Sequence, residues 1–184
     1  MQIRDTAWNY GFTSILLHWV SAGLIAVLFI LGQIAEDMSR GPEKTELMNV
    51  HQSLGMLLLI IVLARLVWRL GQGFPKSEQI KTNKLERLAR AWHWLLLILI
   101  IAIPASGYLA AESGFRDLNF FGLFTLPDLI GTDRDIHAVF EEVHEIFSKL
   151  IIPVVLLHVL GALKHHYFDK DGTLKKMVNI GYNA

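Results

Sequence analysis

Two histidines on one long apolar segment are the residues of this chain best placed to do chemistry. His144 and His158 lie in the stretch VHEIFSKLIIPVVLLHVLGALKHHY, residues 143–167. In a helix, a spacing of fourteen residues separates two side chains by about 21 Å along the axis and keeps them within about 40° of one face. The segment is long enough to cross a bilayer, so one helix can present an imidazole near each side of a membrane. His165 extends the same stripe to the end of the helix.

The composition is that of a small membrane protein. The chain has 184 residues, of which 53% are hydrophobic, and its formal net charge is zero. A soluble domain is rarely so apolar. There is no Cys, which excludes disulfides, thiolate metal sites and Cys nucleophiles. Because Lys and Arg are segregated by loop rather than pooled on one face, we expect no nucleic-acid partner.

Four segments have the length and apolarity of membrane-spanning helices. They cover approximately residues 13–35, 48–70, 88–111 and 143–167. We therefore predict an all-α fold, an integral membrane four-helix bundle that forms a single domain over residues 1–184. The first segment lacks a small-residue cleavage pattern, so we interpret it as a retained span rather than a signal peptide.

The distribution of basic residues predicts the orientation of the bundle. They are concentrated in the second connection and the C-terminal tail, at Lys76, Lys81, Lys84, Arg87, Arg90, Lys164, Lys170, Lys175 and Lys176. By the positive-inside rule, the N and C termini are expected in the cytoplasm. The third connection, about thirty residues long, then faces the outside, and its FFGLFTLPDL stretch is expected to cover the membrane interface.

This topology gives each histidine of the spans a depth. His51 and His144 fall on the outer side, whereas His18, His93 and His158 fall on the cytoplasmic side. Depth alone pairs His51 with His144 and His18 with His158, and leaves His93 as the one competitor to His18. Placing a histidine side chain within the membrane costs free energy unless its ring nitrogens have bonding partners. Hydrogen-bonded packing explains a single such residue well, but it explains two depth-matched pairs poorly.

Haem is the cofactor that these pairs fit best. A zinc site needs four ligands at one depth, and a di-iron site needs inward-facing Glu-x-x-His motifs, and the sequence offers neither. A b-type haem needs only two axial imidazoles and flat apolar walls between helices. Gly23, Gly55 and Gly161, near the candidate ligands, would let a macrocycle approach the backbone, although close helix packing explains them equally well.

Two cations near the predicted haems have alternative roles. Arg65 stands fourteen residues after His51, so it shares that helix face about 21 Å deeper, where it could pair with haem propionates or snorkel to the interface. For Arg69 we expect snorkelling. Lys149, five residues after His144, could pair with a propionate of the outer haem, attract an anion, or snorkel outward.

Several motifs resemble the prokaryotic cytochrome b561 family of di-haem membrane proteins. They are LLHWV around His18, VHQSLGMLLL around His51, RLVWRL at the end of the second span, and HVLGALKHHYFDKDGTLKKM at the C-terminus. The resemblance covers nearly the whole chain and implies a multi-pass protein of the bacterial inner membrane with two haem b groups, ligated by His18 with His158 and by His51 with His144. It also implies electron transfer between an outer donor and membrane quinone. Some members oxidise superoxide and reduce ubiquinone, and the histidine that matches His165 lies at the quinone site.

The resemblance therefore predicts an oxidoreductase that oxidises superoxide outside and reduces ubiquinone near the cytoplasmic haem. His165, His166 and His93 stand at the level where quinone would take up protons, and imidazole titrates near neutrality. The alternative is a cytochrome b subunit that relays electrons between quinone and a protein partner. A third reading is a non-redox membrane protein that uses histidine for packing or metal binding.

The charges of the outer connections disagree with the superoxide prediction. Both connections are rich in Asp and Glu, and an anion is steered by positive rather than negative potential. A local positive patch of Lys149, Arg134 and protonated His137 could still serve an anionic substrate.

Overall fold

The computed structural model describes residues 2–73, 83–114 and 118–178, without the side chains of residues 83–86. Four long helices make up most of it: α1 (Phe12–Asp37), α2 (Pro42–Gln72), α3 (Asn83–Ser113) and α4 (Arg134–Tyr167). A short helix, α5 (Lys175–Val178), follows in the C-terminal tail. Each long helix contains a segment long and apolar enough to cross a membrane, which confirms the predicted membrane four-helix bundle.

The helices pack in chain order, α1 on α2, α2 on α3 and α3 on α4. The buried apolar core takes side chains from all four helices, namely Leu28, Leu58, Val62, Leu97, Leu99, Ile100, Ile151 and Val154. Val62 is completely buried. Many other apolar side chains of the helices are exposed on the outside of the bundle. Such a surface is suited to lipid, where close packing rather than the removal of apolar surface from water holds helices together.

The helices extend beyond the predicted spans because hydropathy does not detect their polar first turns. α4 begins at Arg134, nine residues before the predicted start at residue 143. The side chain of Asp133 caps it by accepting hydrogen bonds from the backbone N–H groups of Asp135 and Ile136, at 2.8 and 3.0 Å. The third connection is therefore residues 114–133, shorter than predicted.

A small β-hairpin in the third connection is an element that the all-α prediction omitted. Strands β1 (Asn119–Phe120) and β2 (Phe124–Thr125) are antiparallel. Positive φ angles of 50° at Phe121 and 71° at Gly122 turn the chain between them. The hydroxyl of Ser53 on α2 donates to the Asn119 carbonyl at 3.1 Å and accepts from the Phe121 N–H at 3.0 Å, so the hairpin is fixed to α2.

The two ends of the bundle are distinct. The terminal end carries residues 2–11, the C-terminal end of α2 and the tail with α5. Trp19 near the start of α1 donates from Nε1 to the Met177 carbonyl at 2.7 Å, which ties the tail to α1. The loop end carries residues 38–41 and the third connection. The placement of the terminal end in the cytoplasm stays a prediction, and Lys76 and Lys81, on which it partly depends, lie outside the described residues.

Candidate functional site

His51 of α2 and His144 of α4 face each other near the loop end, and we call them the loop-end pair. Their ring centroids are 6.3 Å apart and their planes are inclined by 86°. Nδ1 of His144 lies 2.8 Å from the Ile103 carbonyl oxygen. Because a carbonyl only accepts, this nitrogen must donate, which leaves Nε2 with its lone pair free. Histidines that ligate metals are commonly oriented by such a hydrogen bond.

Gly107 of α3 gives the His144 ring the space it occupies. A Cβ added at this position would lie 2.8 Å from Cε1 of His144, closer than real Cβ atoms approach. Only glycine therefore lets α3 lie so close to this imidazole. Sequence reasoning missed Gly107, although the run of small residues Ala105, Ser106 and Gly107 is a signal for close approach in a membrane helix.

His18 of α1 and His158 of α4 meet near the terminal end, and we call them the terminal-end pair. Their ring centroids are also 6.3 Å apart, with planes inclined by 55°. His93 of α3 reaches the same place, 5.5 Å from His158 and nearly perpendicular to it. Nδ1 of His93 donates to the Ala89 carbonyl at 2.6 Å. Three imidazoles therefore gather at this level.

The centroid distances test whether one metal atom fits between two rings. A metal about 2.0 Å from each nitrogen, with each ring centre about 1.15 Å beyond its nitrogen, separates trans imidazoles by about 6.3 Å. Both the loop-end pair and the terminal-end pair have this separation. His93 is too close to His158, at 5.5 Å, to share a metal with it in this way. The separation within each pair would therefore suit two imidazole ligands of one haem iron, whereas His93 fits an edge-to-face packing contact.

Glycines beside the pairs leave room for a flat group. Gly55 lies on nearly the same helix face as His51, and Gly161 lies close to the face of His158. A Cβ added at either glycine would have no other atom within 4 Å. Close helix packing, the alternative explanation for these residues, is therefore wrong at both. Gly23 is equally open, but it lies on another face of α1.

Arg65 of α2 contacts the terminal-end pair directly. Its Nη2 is 2.9 Å from Nδ1 of His18. Among the described residues, no carboxylate forms an ion pair with this half-buried guanidinium. Arginine only donates, whereas a ligating imidazole itself donates through its second nitrogen. Iron on Nε2 of His18 would therefore require Arg65 to release Nδ1, and the predicted pairing with a haem propionate would then give the guanidinium an anion.

The prediction that Arg69 snorkels to the interface is wrong. Arg69 is 8% exposed, and its Nη1 lies 3.3 Å from the Asp5 carboxylate. Its guanidinium also lies over the Tyr10 ring, 5.2 Å from the centroid. Asp5 accepts two further hydrogen bonds, from the Gly11 N–H at 2.7 Å and the Ser14 hydroxyl at 2.9 Å. Residues 2–11 thus fold over the ends of α1 and α2 and provide a buried carboxylate that no helical spacing indicates.

Lys149 and His137, two of the residues predicted to attract an anion, lie beside acids. Lys149 forms an ion pair with Glu145 on the same helix, and its side chain is 62% exposed. It lies about 140° around α4 from His144, so this geometry gives no support to a contact with a haem there. Nε2 of His137 is 3.7 Å from Glu141. The predicted local positive patch is therefore largely neutralised.

His165 lies in a network of charged groups at the end of α4. Its Nδ1 is 2.8 Å from Asp171 and 3.1 Å from Asp169. The ligand atoms of these three residues lie within 4.8 Å of one another, as a metal site requires. However, Nζ of Lys164 contacts both oxygens of Asp169, at 2.9 and 2.7 Å. Since this cation already neutralises one carboxylate, we interpret the group as a hydrogen-bonded ion-pair network.

Comparison with known proteins shows the family of this chain. The family model for prokaryotic cytochrome b561 matches residues 9–179, a range that includes all four long helices and both histidine pairs. The chain is 31% identical to cytochrome b561 homolog 2 of Escherichia coli (strain K12), over 97% of this chain and 95% of the relative. It is 25% identical to the probable superoxide oxidase CybB of Yersinia pestis, over 92% and 96% of the two chains. It is 27% identical to cytochrome b562 of Cereibacter sphaeroides, over 92% and 95%. The chain therefore belongs to the prokaryotic cytochrome b561 family, b-type haem proteins that transfer electrons in the bacterial inner membrane.

Proposed function

We propose that this protein carries electrons across the inner membrane through two haem b groups, oxidises superoxide at the outer face and reduces ubiquinone at the cytoplasmic face. His51 and His144 hold one haem, and His18 and His158 hold the other. The observation that carries the proposal is the equal 6.3 Å separation of the two pairs at two levels of the bundle. When bound, each haem iron supplies a one-electron couple.

α4 fixes the relation between the two sites. It provides one ligand to each pair, and the fourteen residues from His144 to His158 correspond to about 21 Å along the helix. A single continuous helix therefore sets both the depth and the facing direction of the two ligands. The chain's contribution is to orient the imidazoles, through the Ile103 carbonyl at His144, and to place apolar helix faces around the haems.

The overall reaction balances with quinone as the two-electron acceptor. Two superoxide anions lose one electron each and leave as two molecules of O₂. The two electrons and two protons convert one quinone to one quinol. His165 lies seven residues after His158, on nearly the same face and about 10.5 Å further along α4, so quinone at this end would have an imidazole beside it.

The superoxide part of the proposal is supported by the relative of Yersinia pestis, whose name is probable superoxide oxidase. The charges of the loop end favour a second candidate, an electron relay between quinone and a cationic protein partner. The exposed acids at this end are Glu36, Asp37, Glu43, Glu46, Asp128, Asp133, Asp135, Glu141, Glu142 and Glu145. The bases of the described part of this end are only Arg40, Lys44, Arg134 and Lys149. Such a field repels an anion and attracts a basic protein.

A stopped-flow experiment on the purified, haem-loaded protein separates the two candidates. A pulse of superoxide should reduce the haems quickly, and ubiquinone should then reoxidise them. His158→Ala is the informative variant, because it should keep the reaction with superoxide at the loop-end pair but lose the transfer to quinone. His144→Ala should lose the first step. Haem reduction by a basic electron-carrier protein but not by superoxide would favour the relay. Purified protein without a b-type spectrum would contradict both.

A further inference from the structure

The carboxylate of Asp171 contacts the imidazole of His165, and helix periodicity does not predict this contact. Oδ2 of Asp171 is 2.8 Å from Nδ1 of this histidine. Asp171 itself is firmly held. Its side chain is 8% exposed, its Oδ1 accepts the Thr173 N–H at 2.9 Å, and its own N–H donates to the His165 carbonyl at 3.1 Å. The turn after α4 therefore brings this carboxylate back onto the last turns of the helix.

Asp171 is ionised at neutral pH. Burial acts to raise the pKa of its carboxyl group. The hydrogen bonds from Thr173 and from His165 act in the opposite direction, and together they hold the pKa below its ordinary value. An ionised carboxylate only accepts hydrogen bonds.

The contact fixes which nitrogen of His165 carries the proton. Because Asp171 only accepts, Nδ1 must donate, and in the neutral ring Nε2 is then the nitrogen with the free lone pair. The contacts that the structure describes for the His165 side chain with Asp169 and Asp171 are all made through Nδ1. Without a partner at Nδ1, a neutral imidazole exchanges between its two tautomers.

Asp169 is a less suitable partner, although it is also near. It lies 3.1 Å from Nδ1, its side chain is 31% exposed, and both of its oxygens contact Lys164. Its charge is therefore largely compensated. The two aspartates are a matched pair for experiment, because they have the same chemistry and similar distances but different burial and partners.

We propose that Asp171 is a positioning residue, which holds the proton of neutral His165 on Nδ1 so that Nε2 exchanges the protons consumed when quinone is reduced. The inference rests on the proposed function, since it assigns the proton step at the quinone end. The proton taken up at Nε2 passes to the reduced quinone, and the neutral ring with its proton on Nδ1 is restored.

The test uses two readouts on the haem-loaded protein with ¹⁵N-labelled histidine. In the dithionite-reduced state at a pH where the ring is neutral, ¹⁵N spectra should show Nδ1 of His165 protonated and Nε2 unprotonated, with the signal assigned by its loss in His165→Gln. Asp171→Ala should give a mixture of tautomers and slow quinone reduction at least tenfold. It should leave reduction of the haems by the outer donor unchanged. Asp171→Asn, whose amide oxygen still accepts, should retain the Nδ1–H form.

Asp169→Ala is the matched control, and it should keep the tautomer and stay within twofold of the wild-type rate. If Asp171→Ala leaves the tautomer unchanged while the wild type reduces quinone normally, this inference is overturned and the proposed function stands. If the wild-type protein reduces no quinone, the proposed function is overturned, and the proton step assigned to His165 fails with it.

Discussion

His18 and His93 both reach the imidazole of His158, and their separations from it predict different consequences of substitution. His18→Ala should lose one of two haems, because the 6.3 Å separation fits a shared iron. His93→Ala should keep both, because its 5.5 Å perpendicular contact fits packing. Haem counted per protein by its reduced pyridine adduct measures this directly. Loss of haem from His93→Ala together with retention in His18→Ala would reverse the assignment.

Gly107 gives a second prediction for single residues. Gly107→Ala places a Cβ where the His144 ring stands, at 2.8 Å from Cε1. Overpacking of this kind typically costs about 1–3 kcal/mol, so we expect reduced haem content and a changed spectrum at the loop-end pair. Gly23→Ala is the control, since a Cβ there would have no other atom within 4 Å and Gly23 lies on a face of α1 away from His18. If Gly107→Ala and the control variant both had complete haem content, the close contact between Gly107 and the His144 ring would be contradicted.

Arg65 predicts an electrochemical effect. A positive charge beside a haem favours its reduced form, so Arg65→Gln should lower the midpoint potential of the haem on the terminal-end pair. A shift of about 60 mV corresponds to a tenfold change in the one-electron equilibrium, and we expect a change of this order. Arg65→Lys retains the charge and should shift the potential much less. If a redox titration gave equal midpoint potentials for Arg65→Gln and the wild type, the guanidinium of Arg65 would not lie beside this haem.

What the sequence could predict at this scale depended on spacing within a helix. The pairing of His51 with His144 and of His18 with His158 needs only the helical repeat and the number of spans, and the structure brings each pair together. The partner of Arg69 could not be predicted, because Asp5 reaches it from a segment without periodicity. Contacts formed by folding of irregular chain, like that of Asp171 with His165, leave no repeat to read.

Among the elements, the tail after α4 should be sensitive to acid. Asp171 joins this tail to α4, and its pKa is below the ordinary value of 3.8. An acid with a lowered pKa stabilises the folded form above its unfolded pKa and loses that contribution as the pH falls through the folded pKa. Backbone amides of residues 171–178 should therefore exchange faster below pH 3.8, after correction for intrinsic rates.

The expected loss of protection in the tail is on the order of 1 kcal/mol, or about fivefold. Hydrogen exchange followed by mass spectrometry of tail peptides measures it. Asp171→Ala should show the faster exchange already at neutral pH and little further change in acid. The core of α3, which contains no part of this contact, serves as the internal reference. Equal acid sensitivity of wild type and variant would show that another group controls the tail.

The helices themselves were predictable, but their polar ends and the hairpin were not. Apolar runs locate the middle of each span, whereas the first turns of α4 depend on the Asp133 cap and carry no hydropathy signal. The hairpin is short, and it forms where Ser53 provides both a donor and an acceptor. Its aromatic tip is exposed, as expected for a cover at the interface, with Phe121 at 47% and Phe124 at 54%.

The whole molecule is polarised in charge along the bundle axis. Exposed acids dominate the loop end, whereas the described bases Arg4, Arg65, Arg69, Arg87, Arg90, Lys164, Lys170, Lys175 and Lys176 lie toward the terminal end. The tail and residues 2–11 lie at that same end. By the positive-inside rule, this distribution of Lys and Arg is the basis for predicting both termini in the cytoplasm.

The same polarity predicts how salt affects the first electron transfer. If superoxide is the donor, the acidic loop end repels it, and screening of these charges by salt should increase the rate of haem reduction. The Debye length falls from about 30 Å at 0.01 M to about 8 Å at 0.15 M ionic strength, so the rate of haem reduction by superoxide should rise across this range. The rate of haem reduction by a cationic protein donor should instead fall with added salt, because screening weakens the attraction between the donor and the acidic loop end.

The double substitution Glu141→Gln and Glu142→Gln removes two exposed acids from this end. It should raise the rate of haem reduction by superoxide at low salt and make that rate depend less on salt. A superoxide rate that falls with salt in the wild type would mean that a local positive group, rather than the field of the whole end, governs entry.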